Sequence, residues 1–191
     1  MSFWLKNLPL TDYEKHYLKT RANKNISLGH IRAAASNRRN RIEKDKLIFL
    51  EAKSKFNNLM RDPFFQVGLT LYWAESTKRT WGFQFINSDA DMIALMIKWI
   101  KIFLNIPKEK IFLRLYIHKP YAHENCEKYW SKKINMPLTQ FKKTIYKPTG
   151  LGIKKRPNYN GCLRIEINNG KTTYVLRKIK AWNQCLVEYY R

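Results

Sequence analysis

The side chains in this chain that are best suited to chemistry are cations. Lysine and arginine number 37 against 14 aspartate and glutamate residues, so the formal net charge is +23. Such an excess favours binding to an acidic macromolecule, with nucleic acid before an anionic membrane. Three consecutive cations, Lys154, Lys155 and Arg156, lie in a segment rich in Gly, Pro and Asn. A loop of this kind is suited to phosphate contacts, which position a duplex without reading its sequence.

Polar and basic side chains also alternate with apolar ones along predicted strands. Residues 110–118 have apolar residues at the odd positions from Ile111 to Ile117, a period typical of a strand with one buried face. Arginine, lysine, glutamine and threonine suit the base edges in a DNA groove. The strand residues predicted to contact nucleic acid are Gln84, Arg114, Lys142, Thr144, Tyr146, Lys147 and Arg164. The basic residues predicted to do so elsewhere are Lys78, Arg79, Arg38, Arg39 and Arg41.

Other catalytic patterns are missing from the sequence. It has no Ser/His/Asp arrangement, no P-loop and no dinucleotide-binding glycine pattern. Cys126, Cys162 and Cys185 are widely spaced without a CxxC pair, which suits a reducing compartment and predicts a cytoplasmic protein. His118, His123 and Cys126 lack a completing ligand pair for zinc. No apolar run approaches the ~20 residues of a membrane span, so no membrane partner is expected.

An α+β scaffold is predicted to position these side chains. Apolar residues recur at helical spacing over residues 42–60, 88–104, 122–135 and 171–189, and residues 63–75 are apolar almost all round. Strands are predicted at residues 80–87, 110–118, 141–147 and 162–168. Residues 62–191 are therefore predicted to form one domain, with helices packed on an antiparallel or mixed sheet.

Residues 1–61 are predicted to form a basic, mostly helical N-terminal arm. Thr11 and Glu14 have the spacing of a capping box at the start of a helix. No acid lies between Glu14 and Glu43, whereas eight basic residues do. Residues 25–40 have no apolar stripe of their own, which predicts a mobile arm or a helix that becomes ordered on a polyanion.

The segment GLTLYWAESTK, from Gly68 to Lys78, joins a helix that bears small residues to one terminal acid and a basic strand. It resembles the LAGLIDADG homing endonucleases, and more closely a set of uncharacterised prokaryotic relatives that read LYWAEG-x-K at this place. The stretches FINSDADMI, YWSKKINMPLTQF and the pair YKP and YNGCLRI also resemble that set. The resemblance covers about residues 63–189, and it depends on the order of several short motifs.

The resemblance implies a LAGLIDADG-like domain in which two such helices pack together and their terminal acids hold divalent metal at the scissile phosphates. Glu75 takes the position of the catalytic, metal-binding acid, with Mg²⁺ as the cofactor. Phosphodiester chemistry of this kind needs two metal ions about 4 Å apart. Only one motif copy is visible, so the resemblance implies a homodimer through the helix at residues 63–75. The implied interface residues are Gly68, Thr70, Leu71 and Ala74.

The preferred function is double-stranded DNA binding by a site-specific, metal-dependent endonuclease. A non-catalytic DNA-binding regulator on the same scaffold is the first alternative. An RNA-binding structural protein suits the charge equally well. At the level of single residues, Glu75 could instead be a solvated helix-end residue paired with Lys78 or Arg79.

Overall fold

Helices and strands follow the order that the hydrophobic pattern predicts. The computed structural model describes residues 9–76, 82–121, 125–148, 159–167 and 172–191. The elements in chain order are α1 (Asp12–Leu59), α2 (Pro63–Glu75), β1 (Gln84–Asn87), α3 (Ala90–Phe103), β2 (Ile111–His118), α4 (Cys126–Lys133), β3 (Phe141–Lys147), β4 (Cys162–Ile167) and α5 (Thr172–Tyr189). These described elements make the fold α+β, as predicted.

Short-range hydrogen bonds fix where three of the helices begin. Before α1, the Thr11 N–H donates to the Glu14 carboxylate at 2.8 Å and Thr11 Oγ1 accepts from the Glu14 N–H at 3.3 Å, which is the predicted capping box. Before α2, the Asp62 carboxylate accepts from the Phe64 N–H at 2.8 Å. Asp89 has the same role at the start of α3. Each cap satisfies donors that the first helical turn leaves unpaired.

The chain divides into two compact units, Met1–Leu47 and Ile48–Arg191. In the first unit, residues 12–47 are helical and almost wholly exposed, so the segment 25–40 is a helix in this structure. The second unit begins inside α1. Ala52 and Phe56, which belong to the predicted apolar stripe, are buried in the core of that unit.

One mixed sheet of four strands, in the order β1-β4-β2-β3, forms the middle of the second unit. β4 is antiparallel to both β1 and β2, whereas β3 is parallel to β2. The parallel pair needs a crossover connection, which contains α4. The inner face of the sheet consists of side chains that are almost fully buried: Phe85, Ile111, Leu113, Leu115, Ile117, Leu163, Ile165 and Ile167.

Aromatic side chains from three helices form the centre of the core. The ring centroid of Phe65 in α2 lies 6.2 Å from that of Trp99 in α3 and 5.1 Å from that of Trp182 in α5. The Trp99 indole donates to the Phe65 carbonyl at 3.1 Å. Gly68 faces the same indole, and a Cβ added there would lie 2.0 Å from Trp99 Cδ1. The prediction that Gly68 contacts a partner helix is therefore wrong, because its missing side chain makes room for Trp99 within the same chain.

Within the described ranges, no helix combines the length and the apolar character that a membrane crossing requires.

Candidate nucleic-acid interface

The second face of the sheet carries the polar half of the alternating strands. We call it the outer face, and its side chains are partly exposed. It brings together residues from all four strands: Gln84, Phe112, Arg114, Tyr116, His118, Lys142, Lys147, Arg164 and Glu166. Of the residues predicted to contact nucleic acid, Gln84, Arg114, Lys142, Lys147 and Arg164 thus share one surface.

Three cations lie directly opposite one another across three neighbouring strands. Arg114 of β2 pairs with Arg164 of β4 on one side and with Lys142 of β3 on the other. We call these three residues the cation row. Directly opposed residues in a sheet are only about 5 Å apart, and like charges at that distance are destabilising. The row therefore needs a compensating group.

Glu166 supplies that compensation. Its carboxylate accepts a hydrogen bond from Lys142 Nζ at 2.5 Å and another from Arg164 Nη2, and it lies 3.4 Å from Arg114 Nε. The side chain of Glu166 is 14% exposed, against 28% for Arg114 and 19% for Arg164. One carboxylate facing three cations leaves an excess of two positive charges at the centre of the outer face.

The ionisation of Glu166 follows from the same contacts. Burial alone would raise the pKa of its carboxyl group, but the hydrogen bonds from Lys142 and Arg164 outweigh burial and hold the pKa below its ordinary value of 4.5. Glu166 is therefore a carboxylate at neutral pH. Among the described residues, none accepts a hydrogen bond from the buried Nε of Arg114 or of Arg164.

Two aromatic rings of β2 restrain the cations further. Lys142 Nζ lies 5.4 Å from the ring centroid of Phe112. The guanidinium of Arg164 lies 4.9 Å from the ring centroid of Tyr116, and Lys147 Nζ lies 5.8 Å from it. Cations at these distances from an aromatic face are attracted to it. The outer face thus holds long basic side chains in defined positions before any ligand arrives.

A β-bulge changes which residues of β3 belong to the outer face. The register with β2 shifts after Arg114, so that Tyr146 is paired with the buried residue Ile117. The Thr144 hydroxyl, in the bulge, donates to the carboxylate of Glu127 on α4. Thr144 and Tyr146 therefore do not share the outer face with Arg114, because the extra residue in β3 shifts the register of Tyr146 and Thr144 bonds to α4. Their contact with nucleic acid stays a prediction.

Glu75 lies exposed at the C-terminal end of α2, beside the edge of the sheet. The next residue, Ser76, donates its N–H to the Tyr72 carbonyl at 2.9 Å and forms an isolated bridge with Phe85 of β1. In the described part of the chain, no three or more His, Cys, Asp or Glu side chains form a cluster that could hold a metal ion. Within one chain, the described residues therefore do not fit a Mg²⁺ site at Glu75.

The exposed side of α2 includes three of the four predicted interface residues. Thr70 and Ala74 are exposed and Leu71 is partly buried, while Val67 on the same side is 51% exposed. Residues spaced by three, four and seven positions form one stripe along a helix. This stripe, unlike Gly68, is available for contact with another molecule.

The other predicted contact residues lie elsewhere. Arg38, Arg39 and Arg41 are exposed on the helix of the first unit. Lys78, Arg79, Lys154, Lys155 and Arg156 lie outside the described residues.

Sequence reasoning missed four members of the outer face. It gave no nucleic-acid role to Phe112, Tyr116, His118 or Glu166, although all four occupy outward positions of predicted strands. Glu166 could have been noticed, because it is one of only two acids among the last 55 residues. The residues that Glu166 contacts could not have been predicted, because they depend on the order of the strands in the sheet.

No family model, curated protein or solved structure matches this chain. The geometry of the site therefore carries the functional conclusion.

Proposed function

We propose that this protein binds double-stranded DNA through the outer face of its sheet. The single observation that carries the proposal is the cation row, which places Arg164, Arg114 and Lys142 side by side, with Glu166 as their one carboxylate partner among the described residues. Phosphates supply the missing negative charge, and arginine forks are suited to base edges. A sheet can enter the major groove as a two-stranded or wider ribbon.

Binding and its electrostatic part can be tested in one titration. We expect fluorescence anisotropy to show binding of a labelled duplex, with an affinity that falls as salt rises. Lys147→Ala should lower the slope of log K against log salt by about one, because one phosphate contact is lost. Lys180, an exposed cation of α5, provides the matched control, and Lys180→Ala should leave the slope unchanged. Equal slopes for both variants would contradict the assignment of the outer face.

Competition distinguishes duplex DNA from RNA. At physiological salt, unlabelled duplex DNA should displace the labelled duplex at lower concentration than structured RNA of equal length. A preference for the RNA would overturn the proposal and favour an RNA-binding structural protein.

We further propose that the domain is LAGLIDADG-like and forms a homodimer through α2. The exposed stripe with Thr70, Leu71 and Ala74 supports this, because it ends at Glu75 and lies on the only side of α2 that is not buried. In such a dimer, two Glu75 carboxylates would be available to hold Mg²⁺, which supplies Lewis-acid activation for phosphodiester hydrolysis. Within one chain, the described residues contain no cluster of three or more His, Cys, Asp or Glu side chains that could hold the ion.

Cleavage is tested separately from binding. Incubation with a plasmid library and Mg²⁺ should produce discrete cuts that Glu75→Gln abolishes. Glu188→Gln removes the same charge on α5 and should leave the cuts unchanged. Nanomolar duplex binding without cuts would refute the endonuclease and leave a DNA-binding regulator. A monomeric mass for the DNA complex in sedimentation would refute the α2 dimer.

A further inference from the structure

We propose that Glu166 is a positioning residue that holds Arg114 and Arg164 as a pair of guanidinium forks for guanine bases, so that the bound duplex carries G·C pairs opposite the middle of the sheet. This inference rests on the proposed duplex binding and deepens it by naming the bases that the site selects.

Arg114 and Arg164 form an unfavourable pair. The two residues are direct cross-strand neighbours on the same face, an arrangement that costs stability. A surface that binds only phosphates could use separated lysines, which act as point charges. Arginine adds a planar fork that matches the O6 and N7 acceptors of guanine. Departures from the local rules of a sheet are expected at functional positions.

Both forks are restrained before DNA binds. Arg164 is held between the Glu166 carboxylate and the Tyr116 ring, whose centroid lies 4.9 Å from the guanidinium. Arg114 lies 3.4 Å from the same carboxylate. A side chain that is already ordered loses less conformational entropy on binding, so its contact discriminates more strongly between bases.

The negative charge of Glu166 has two opposite effects on DNA binding. A carboxylate in the middle of a basic surface repels phosphates, so it weakens binding to DNA of any sequence. The same carboxylate fixes the two forks. Removing its charge should therefore move affinity and selectivity in opposite directions, whereas a purely structural role would lower both.

A randomised duplex library tests this inference. The wild-type protein should enrich duplexes with at least one fixed G·C pair. Glu166→Gln should reduce the preference for guanine about tenfold, and it should bind an unselected duplex of fixed sequence more tightly than the wild-type protein does. Glu188→Gln is the matched control, because Glu188 forms its ion pair with Lys53, away from the cation row. It should leave the base preference unchanged.

A second variant decides the question even if Glu166→Gln does not fold. Arg164→Lys keeps the charge and removes one of the two forks, so it should weaken the guanine preference about tenfold at one position of the enriched motif while the salt slope stays the same. An enriched motif without guanine, or a guanine preference that is undiminished in folded Glu166→Gln or in Arg164→Lys, would overturn the inference. No binding of any duplex by the wild-type protein would instead refute the proposed function.

Discussion

Replacing Gly68 by alanine tests whether α2 is fixed within one chain by its contact with α3. The new Cβ would lie 2.0 Å from Cδ1 of Trp99 and 2.4 Å from Cγ and Nε1. These atoms belong to a rigid, fully buried ring, and Nε1 donates to the Phe65 carbonyl at 3.1 Å. Trp99 also packs against Trp182, with ring centroids 6.2 Å apart. A shift of the indole would therefore disturb this packing as well.

The expected loss of stability combines three terms. Overpacking a core costs about 1–3 kcal/mol. Displacing the Trp99 indole leaves its buried N–H without a partner, at a cost of about 1–3 kcal/mol. The better helix propensity of alanine returns about 1 kcal/mol. The net loss in the free energy of unfolding is about 3 kcal/mol, which lowers Tm by about 6–12 °C in a protein of this size.

Thermal unfolding followed by circular dichroism measures this change. Thr70→Ala is the control, because Thr70 lies on the exposed side of the same helix. Its effect should stay within about 0.5 kcal/mol. A wild-type Tm for Gly68→Ala, together with a change of mass in sedimentation, would refute the reasoning and return Gly68 to an interface between chains.

Three further predictions concern caps, turns and pH. Asp62→Ala removes the acceptor for the Phe64 N–H, so it should lower the free energy of unfolding measured in urea by about 1 kcal/mol, whereas Asp62→Asn should lower it less. A urea midpoint of Asp62→Ala equal to that of the wild type would exclude a capping role. Gly161 has φ +80°, and a Cβ there would lie 2.7 Å from the Tyr116 carbonyl oxygen, so Gly161→Ala should cost at least about 2 kcal/mol. An unchanged urea midpoint would contradict this. The lowered pKa of Glu166 stabilises the fold above its unfolded value of 4.5, and this contribution is lost as pH falls through the folded pKa. Urea midpoints measured down the acid range should therefore fall less steeply for Glu166→Gln than for the wild type, and parallel curves would contradict this.

Local patterns predicted those elements whose signals lie within a few residues. The alternation of β2 depends only on a period of two, and the structure buries Ile111 to Ile117 at the odd positions as expected. Likewise, the predicted cap at Thr11 needs only a neighbour three residues away. Such features are recoverable because the physics that creates them is local.

The differences between prediction and structure come from contacts between distant segments. The bulge that takes Thr144 and Tyr146 off the outer face depends on the register between β3 and β2, which no local signal in β3 specifies. The prediction for Gly68 correctly identified a close approach but assigned it to the wrong partner. The partner is Trp99, which lies 31 positions further along the same chain. A small residue indicates close packing, but it does not identify the element that packs against it.

Buried polar atoms without a hydrogen-bond partner occur at two places in the described part of the second unit. In the aromatic core around Phe65, the Trp99 indole donor is satisfied, whereas Trp182 Nε1 has no hydrogen-bond partner among the described residues. The outer face opposes Arg114 to Arg164 and buries the Nε of both. Glu166 offsets only part of that cost, because one carboxylate serves three cations. Among the described residues, two positive charges of the cation row are not balanced by a carboxylate, and the proposed duplex binding rests on this excess.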